Sequence, residues 1–123
     1  MTTKSYILYI EDERPVFDLV REALKLSGHT VVGADSGREG LNLMRQTKPD
    51  LLLLDLMMPD MNGWDVYKQM KADDQLADIP VIVVTAKVPQ NDRVIVDGLP
   101  PVDDYITKPF DVERLIRAVQ NLM

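Results

Sequence analysis

Leu51-Leu52-Leu53-Leu54-Asp55-Leu56-Met57-Met58-Pro59 is the stretch on which the fold turns. Four consecutive leucines read as a strand covered on both faces, as strands of a parallel sheet are. An aspartate in the middle of such a core strand would be costly without partners. At the carboxyl end of the strand it reaches the sheet edge, where open α/β folds place their ligands. Taken alone, Asp55 reads equally well as the first polar residue of an ordinary loop. The rest of the chain favours the ligand edge, because three more strands end on polar or charged residues.

Upstream, Tyr6-Ile7-Leu8-Tyr9-Ile10 reads as a buried strand that stops abruptly at Glu11-Asp12-Glu13. Pro15 suits the first turn of a helix whose stripe is Phe17, Val20 and Leu24, with Gly28 as its stop. His29, the sole histidine, is expected in the following turn as a solvated loop residue rather than a catalyst. Thr30–Ala34 is a second strand. Ser36 and Glu39 match a capping box that opens a helix carrying Leu41 and Met44 inward, and Lys48-Pro49-Asp50 breaks it before the leucine strand.

Downstream, Asn62-Gly63 marks a turn, and Val66, Tyr67 and Met70 give the next helix its face. Trp64 and Tyr67 read as packing residues. Pro80–Val84 is a fourth apolar strand, ending at Thr85-Ala86. Asn91–Asp97 has room for about two turns of helix, after which Gly98-Leu99-Pro100-Pro101 must be non-helical. Asp104–Thr107 is a short last strand leading to Lys108-Pro109. Asp111 caps a final helix with Val112, Leu115, Ile116, Val119 and Leu122 on one face, and Phe110 is placed to staple onto Leu115.

Five strands alternating with five helical segments predict a doubly wound α/β domain with a parallel sheet covered on both faces. Right-handed crossovers bring all the carboxyl ends to one edge, which gathers Glu11, Asp12, Asp55, Thr85 and Lys108. The 123 residues suffice for one core, so 1–123 is expected to be a single domain without an output domain. A net charge of −6 and a pI near 4.6 argue against generic binding to nucleic acid or anionic membrane. There is no cysteine, hence no disulfide and no thiolate metal site. With no apolar run long enough to span a bilayer and no signal-peptide pattern, a cytoplasmic protein is the default expectation.

Carboxylates brought close repel unless a cation or proton sits between them. Oxygen-only ligands suit a hard divalent ion such as Mg²⁺, which typically takes one or two carboxylates and keeps waters and a phosphate oxygen. A lysine opposite that ion and a threonine hydroxyl complete a site suited to phosphoryl transfer, in which an Asp carboxylate can itself be the nucleophile. Spacing does not say which carboxylate is attacked.

The motifs Leu8-Tyr9-Ile10-Glu11-Asp12-Glu13, Leu54–Gly63, Val83-Val84-Thr85-Ala86 and Asp103–Phe110 stand in order, each at a predicted strand. Together they resemble a receiver domain of a two-component response regulator (CheY-like) over Ile7 to Leu122. The resemblance implies a flavodoxin-like sheet of order 2-1-3-4-5 with five helices. It implies that Asp55 is the phosphoacceptor, receiving a phosphoryl group from a sensor histidine kinase or a histidine phosphotransfer protein. Asp12 would hold Mg²⁺ (or Mn²⁺ in its place) directly, Glu11 through water, with the Met57 carbonyl as a further ligand. Lys108 would neutralise the acyl phosphate. Thr85 and Tyr105 would form the switch, Met57 and Lys87 would tune the phosphoryl lifetime, and Lys108-Pro109 would be a cis peptide. No enzymatic output beyond self-phosphorylation and self-dephosphorylation is implied. The expected partner is a downstream protein or an absent output domain, with the chain a monomer or a phosphorylation-dependent homodimer.

Two departures stand out. Glu11 replaces the commoner Asp, and Asp97–Val102 predicts a shortened or displaced fourth helix. A phosphorylation-independent docking module is the main rival reading, opposed by the complete set of Asp12, Asp55, Thr85 and Lys108. An Asp-nucleophile phosphatase would want a second Asp where Met57 stands. A flavin binder would not place Glu11-Asp12-Glu13 in its phosphate loop.

Overall fold

The structure, a computed structural model, describes residues 5–56, 63–85 and 102–123. Its elements are β1 (Ser5–Ile10), α1 (Arg14–Leu26), β2 (His29–Ala34), α2 (Gly37–Gln46), β3 (Leu51–Leu54), α3 (Gly63–Lys71), β4 (Val81–Thr85), β5 (Asp104–Thr107) and α4 (Val112–Leu122). All neighbouring strands are parallel, in the order β2-β1-β3-β4-β5. This is the predicted doubly wound sheet. The helix expected over 91–97 lies outside the described residues.

The apolar strands explain the architecture. Ile7–Ile10, Leu51–Leu54 and Val81–Val84 are wholly buried, which requires a helical layer on each face. Strand alternation sorts their side chains. Leu8, Ile10, Leu52, Leu54, Val81 and Val83 face Met44, Val66, Tyr67 and Met70 of α2 and α3. Ile7, Tyr9, Leu51, Leu53, Ile82 and Val84 face Phe17, Val20, Leu24, Leu115 and Val119 of α1 and α4. The inward stripes predicted for α1, α2 and α3 are the ones observed, whereas on α4 Leu115 and Val119 are buried as expected, Val112, Ile116 and Leu122 are half-buried, and Ala118 joins the buried face.

Local signals also hold. Pro15 lies in the first turn of α1, and Gly28 ends that helix with φ at 91°. The Ser36 hydroxyl accepts the Glu39 N–H, and the Asp111 carboxylate accepts the Glu113 N–H. Phe110 packs against the layer that contains Leu115.

One expectation is corrected. His29 is the first residue of β2, opposite Ser5, and half-buried rather than in a solvated turn, because the β1–β2 ladder extends one residue further. Gly63 opens α3, while Asn62, the other residue of the expected turn, lies outside the described residues. A Cβ at Gly63 would lie 2.5 Å from the Asp55 carbonyl oxygen and 2.6 Å from the Leu56 Cα, so close approach demands the glycine.

The amino-terminal edge of the sheet carries two aspartates, Asp50 and Asp103, that bond to the backbone of a neighbouring strand. The Asp50 N–H donates to the Tyr6 carbonyl while its carboxylate accepts the Tyr6 N–H, both at 2.8 Å. Asp103 forms the same reciprocal pair with Val81, at 3.1 and 2.8 Å. Each carboxylate thus supplies the acceptor that the ladder lacks at its end.

Candidate functional site

The ladder itself assembles the site. Ile10 pairs with Leu54, and the Asp55 N–H continues the pattern onto the Ile10 carbonyl at 3.1 Å. Glu11 and Asp12 therefore leave β1 beside the residue that leaves β3. Carboxylate oxygens of Glu11, Asp12 and Asp55 all lie within 4.8 Å of one another. Glu11 and Asp55 are 4% and 2% exposed, whereas Asp12 faces solvent.

Lys108 follows β5 through the cis Lys108-Pro109 peptide and reaches across the sheet edge. Its ammonium lies 2.6 Å from Glu11 Oε1, 3.3 Å from Asp55 Oδ2 and 4.0 Å from Glu13 Oε2. Two buried carboxylates thus share this lysine. Burial pushes the Glu11 carboxyl up to about 7, with the Asp55 charge adding to it, against the hydrogen bonds from Lys108 and Tyr9. For Lys108, burial pulls the ammonium down, but Glu11 and Asp55 together outweigh it and leave it above its ordinary value.

Tyr9 was read from sequence as a core residue, and it is wholly buried. Its hydroxyl also donates to Glu11 Oε1 at 2.8 Å. Burial, followed by the Glu11 charge, raises the phenol well above its ordinary range. The signal was present in the spacing: residues two apart on a strand share a face, so Tyr9 and Glu11 point the same way. On its other side the Tyr9 ring meets Phe17, with centroids 6.0 Å apart. Phe17 in turn carries the Arg14 and Arg21 guanidinium groups over its ring, 5.6 and 5.5 Å from the centroid.

Of the site residues predicted from sequence, Glu11, Asp12, Asp55 and Lys108 are brought together. Thr85 ends β4 in register with Thr107, at the same edge, but its side chain is not among those described. Met57 and Lys87 lie outside the described residues. Tyr105, on β5, is half-buried against the layer that holds α2 and α3. The donor set is all oxygen, with an exposed Asp12 at its mouth, and these residues fit a hard divalent cation.

Comparison with known proteins agrees with the geometry. The family description "Response regulator receiver domain" matches residues 7–120. The chain is 40% identical over 118 residues to the DNA-binding dual master transcriptional regulator RpaA of Synechocystis, covering 95% of this chain and 48% of that protein. It is 34% identical over 119 residues to the response regulator SaeR of Staphylococcus aureus, covering 97% of this chain and 50% of that protein. The chain thus spans about half the length of these curated relatives. Among solved structures it resembles a CheY-like receiver domain protein from Methanospirillum hungatei, with a TM-score of 0.84 at 35% identity, covering 98% of this chain and 95% of that one. It shares the fold of the chemotaxis protein CheY4 of Vibrio cholerae, with a TM-score of 0.85 at 22% identity, over 98% and 100% of the two chains. No helix among the described residues is long and apolar enough to cross a membrane. The chain belongs to the response regulator receiver domain family.

Proposed function

We propose that the chain is a phosphoacceptor switch in which Asp55 takes a phosphoryl group from a phosphohistidine on a kinase or phosphotransfer protein. The observation that carries this reading is the buried Asp55 carboxylate, 3.3 Å from the Lys108 ammonium and grouped with Glu11 and Asp12. An Asp55 oxygen attacks phosphorus, the P–N bond breaks, and its electron pair stays on the imidazole, which takes up a proton. The product is an acyl phosphate whose added charge Lys108 is placed to offset.

Asp12, Asp55 and Glu11 are the residues that would hold Mg²⁺, with the Met57 carbonyl as a further ligand. When bound, Mg²⁺ neutralises phosphoryl oxygens during transfer. Water attack on the acyl phosphate returns Asp55 to its free form, so the only chemistry is gain and loss of this group. Thr85, the last residue of β4, and Tyr105, within β5, would relay the change as a population shift between two states. Met57 and Lys87 would set its lifetime. The shift would act on a partner protein or on an output domain of the kind the relatives' greater length accommodates. The acidic chain itself suits no direct contact with nucleic acid.

Intact mass after incubation with acetyl phosphate tests the reading. A gain of one phosphoryl group that needs Mg²⁺ and vanishes in Asp55→Asn is expected. No gain, in folded protein that binds Mg²⁺, would overturn it in favour of a docking module that works without phosphorylation.

A further inference from the structure

Glu11 is one methylene longer than an aspartate, and a free glutamate side chain has many rotamers. Here it has one setting. Its Oε1 accepts the Tyr9 hydroxyl at 2.8 Å and the Lys108 ammonium at 2.6 Å, while Oε2 accepts the Glu13 N–H at 3.3 Å. The two strong donors converge on one oxygen, and the other takes a longer, weaker bond. Tyr9 is itself locked: it is wholly buried, and its ring is braced by Phe17. Phe17 is held in turn against Gly33, where an added Cβ would fall 2.5 Å from the Phe17 ring. A rigid line of contacts thus runs from β2 through α1 and β1 to a carboxylate at the sheet edge.

We propose that Tyr9 is a positioning residue for the cation site. Its hydroxyl commits Glu11 Oε1 to the pair of donors and leaves Oε2 as the oxygen available to a divalent cation or to its water. This inference rests on the reading of Glu11, Asp12 and Asp55 as the Mg²⁺ site. A phenylalanine at position 9 would fill nearly the same core volume and keep the contact with Phe17 without orienting Glu11, so packing alone does not call for the hydroxyl. Outer hydrogen-bond partners of this kind act by fixing ligand orientation.

The test is direct titration of Mg²⁺ into the unphosphorylated protein by calorimetry. It compares the unsubstituted chain, Tyr9→Phe, Glu11→Gln and the double variant. Tyr9→Phe keeps the ring and its contact with Phe17, and is expected to weaken Mg²⁺ binding about tenfold. The rate of phosphorylation by acetyl phosphate at saturating Mg²⁺ should stay within about twofold, because the hydroxyl acts on cation affinity and not on the reacting atoms. In the Glu11→Gln background the same change should alter affinity by less than about twofold, since the two residues act as a unit. Equal affinity of Tyr9→Phe and the unsubstituted chain would overturn the inference and leave the cation site standing. An equal loss in both backgrounds would also overturn it, by showing a general distortion. Failure of the unsubstituted chain to bind Mg²⁺ would overturn the cation site and this inference together.

Discussion

At the amino-terminal edge of the sheet, Asp50 and Asp103 lie exposed, and each closes a reciprocal pair of hydrogen bonds with the backbone of a neighbouring strand. At the carboxyl-terminal edge, Glu11 and Asp55 lie buried and share the Lys108 ammonium. The residue types are nearly the same, and the physics is opposite. A solvated carboxylate that accepts a backbone N–H gains a charge-assisted bond at little desolvation cost. Two buried carboxylates beside one ammonium are repelled by each other and imperfectly compensated. The first arrangement ties the sheet together. The second gathers two buried carboxylates around one ammonium, where a cation would relieve their mutual repulsion.

Removing Lys108 should separate the two edges most sharply. Lys108→Ala leaves the buried carboxylates without their ammonium and is expected to cost about 3–5 kcal/mol, read as the urea midpoint at pH 8. Saturating Mg²⁺ should return part of that loss. A loss under about 1 kcal/mol would mean that the carboxylates are not charged against each other in the folded chain.

The pH dependence of stability should differ next. Glu11 titrates at about 7 in the folded chain against an ordinary 4.5. Between those values the folded state holds the extra proton, so this group's contribution is fully present at low pH and is lost as pH rises through 7. The expected loss is on the order of 3 kcal/mol across the window. Glu11→Gln should flatten it, and saturating Mg²⁺ should oppose it because the cation binds the deprotonated carboxylate. Urea unfolding at a series of pH values measures both effects. An unchanged slope in Glu11→Gln would remove Glu11 from the charge balance.

The smallest effects belong to the amino-terminal edge. Asp50→Ala and Asp103→Ala each leave a strand N–H without its acceptor and should cost about 1–2 kcal/mol. Phosphorylation should be unaffected in both. A change in its rate would show that the two edges are coupled through the strands.

The fold was legible because its strongest signals are redundant. Leu51–Leu54, Val81–Val84 and Ile7–Ile10 are apolar at every position, and Pro15, Gly28, Ser36 and Asp111 mark helix ends by local chemistry alone. The membership of the site followed from topology, since residues that end parallel strands must meet at one edge. How those residues pair did not follow. Lys108 lies closer to Glu11 than to Asp55, which depends on side-chain length and reach rather than on register. The Tyr9 hydroxyl was hidden by the residue's fitness for a buried strand, although its two-residue spacing from Glu11 pointed to a shared face. His29 was misplaced because a polar residue next to Gly28 reads as turn, while its partner across the ladder, Ser5, is just as polar. The hydrogen bonds of Asp50 and Asp103 to neighbouring strands depend on the order of the strands and are not visible in the local sequence.

The proposed phosphorylation of Asp55 is open to one direct measurement. Borohydride reduces an aspartyl phosphate to homoserine, which marks the acceptor residue permanently. After acetyl phosphate and Mg²⁺, tandem mass spectrometry of the peptides should find homoserine at position 55, and none when Mg²⁺ is withheld. Homoserine at Asp12 or any other aspartate, or phosphoryl incorporation that leaves position 55 unmarked, would contradict the assignment.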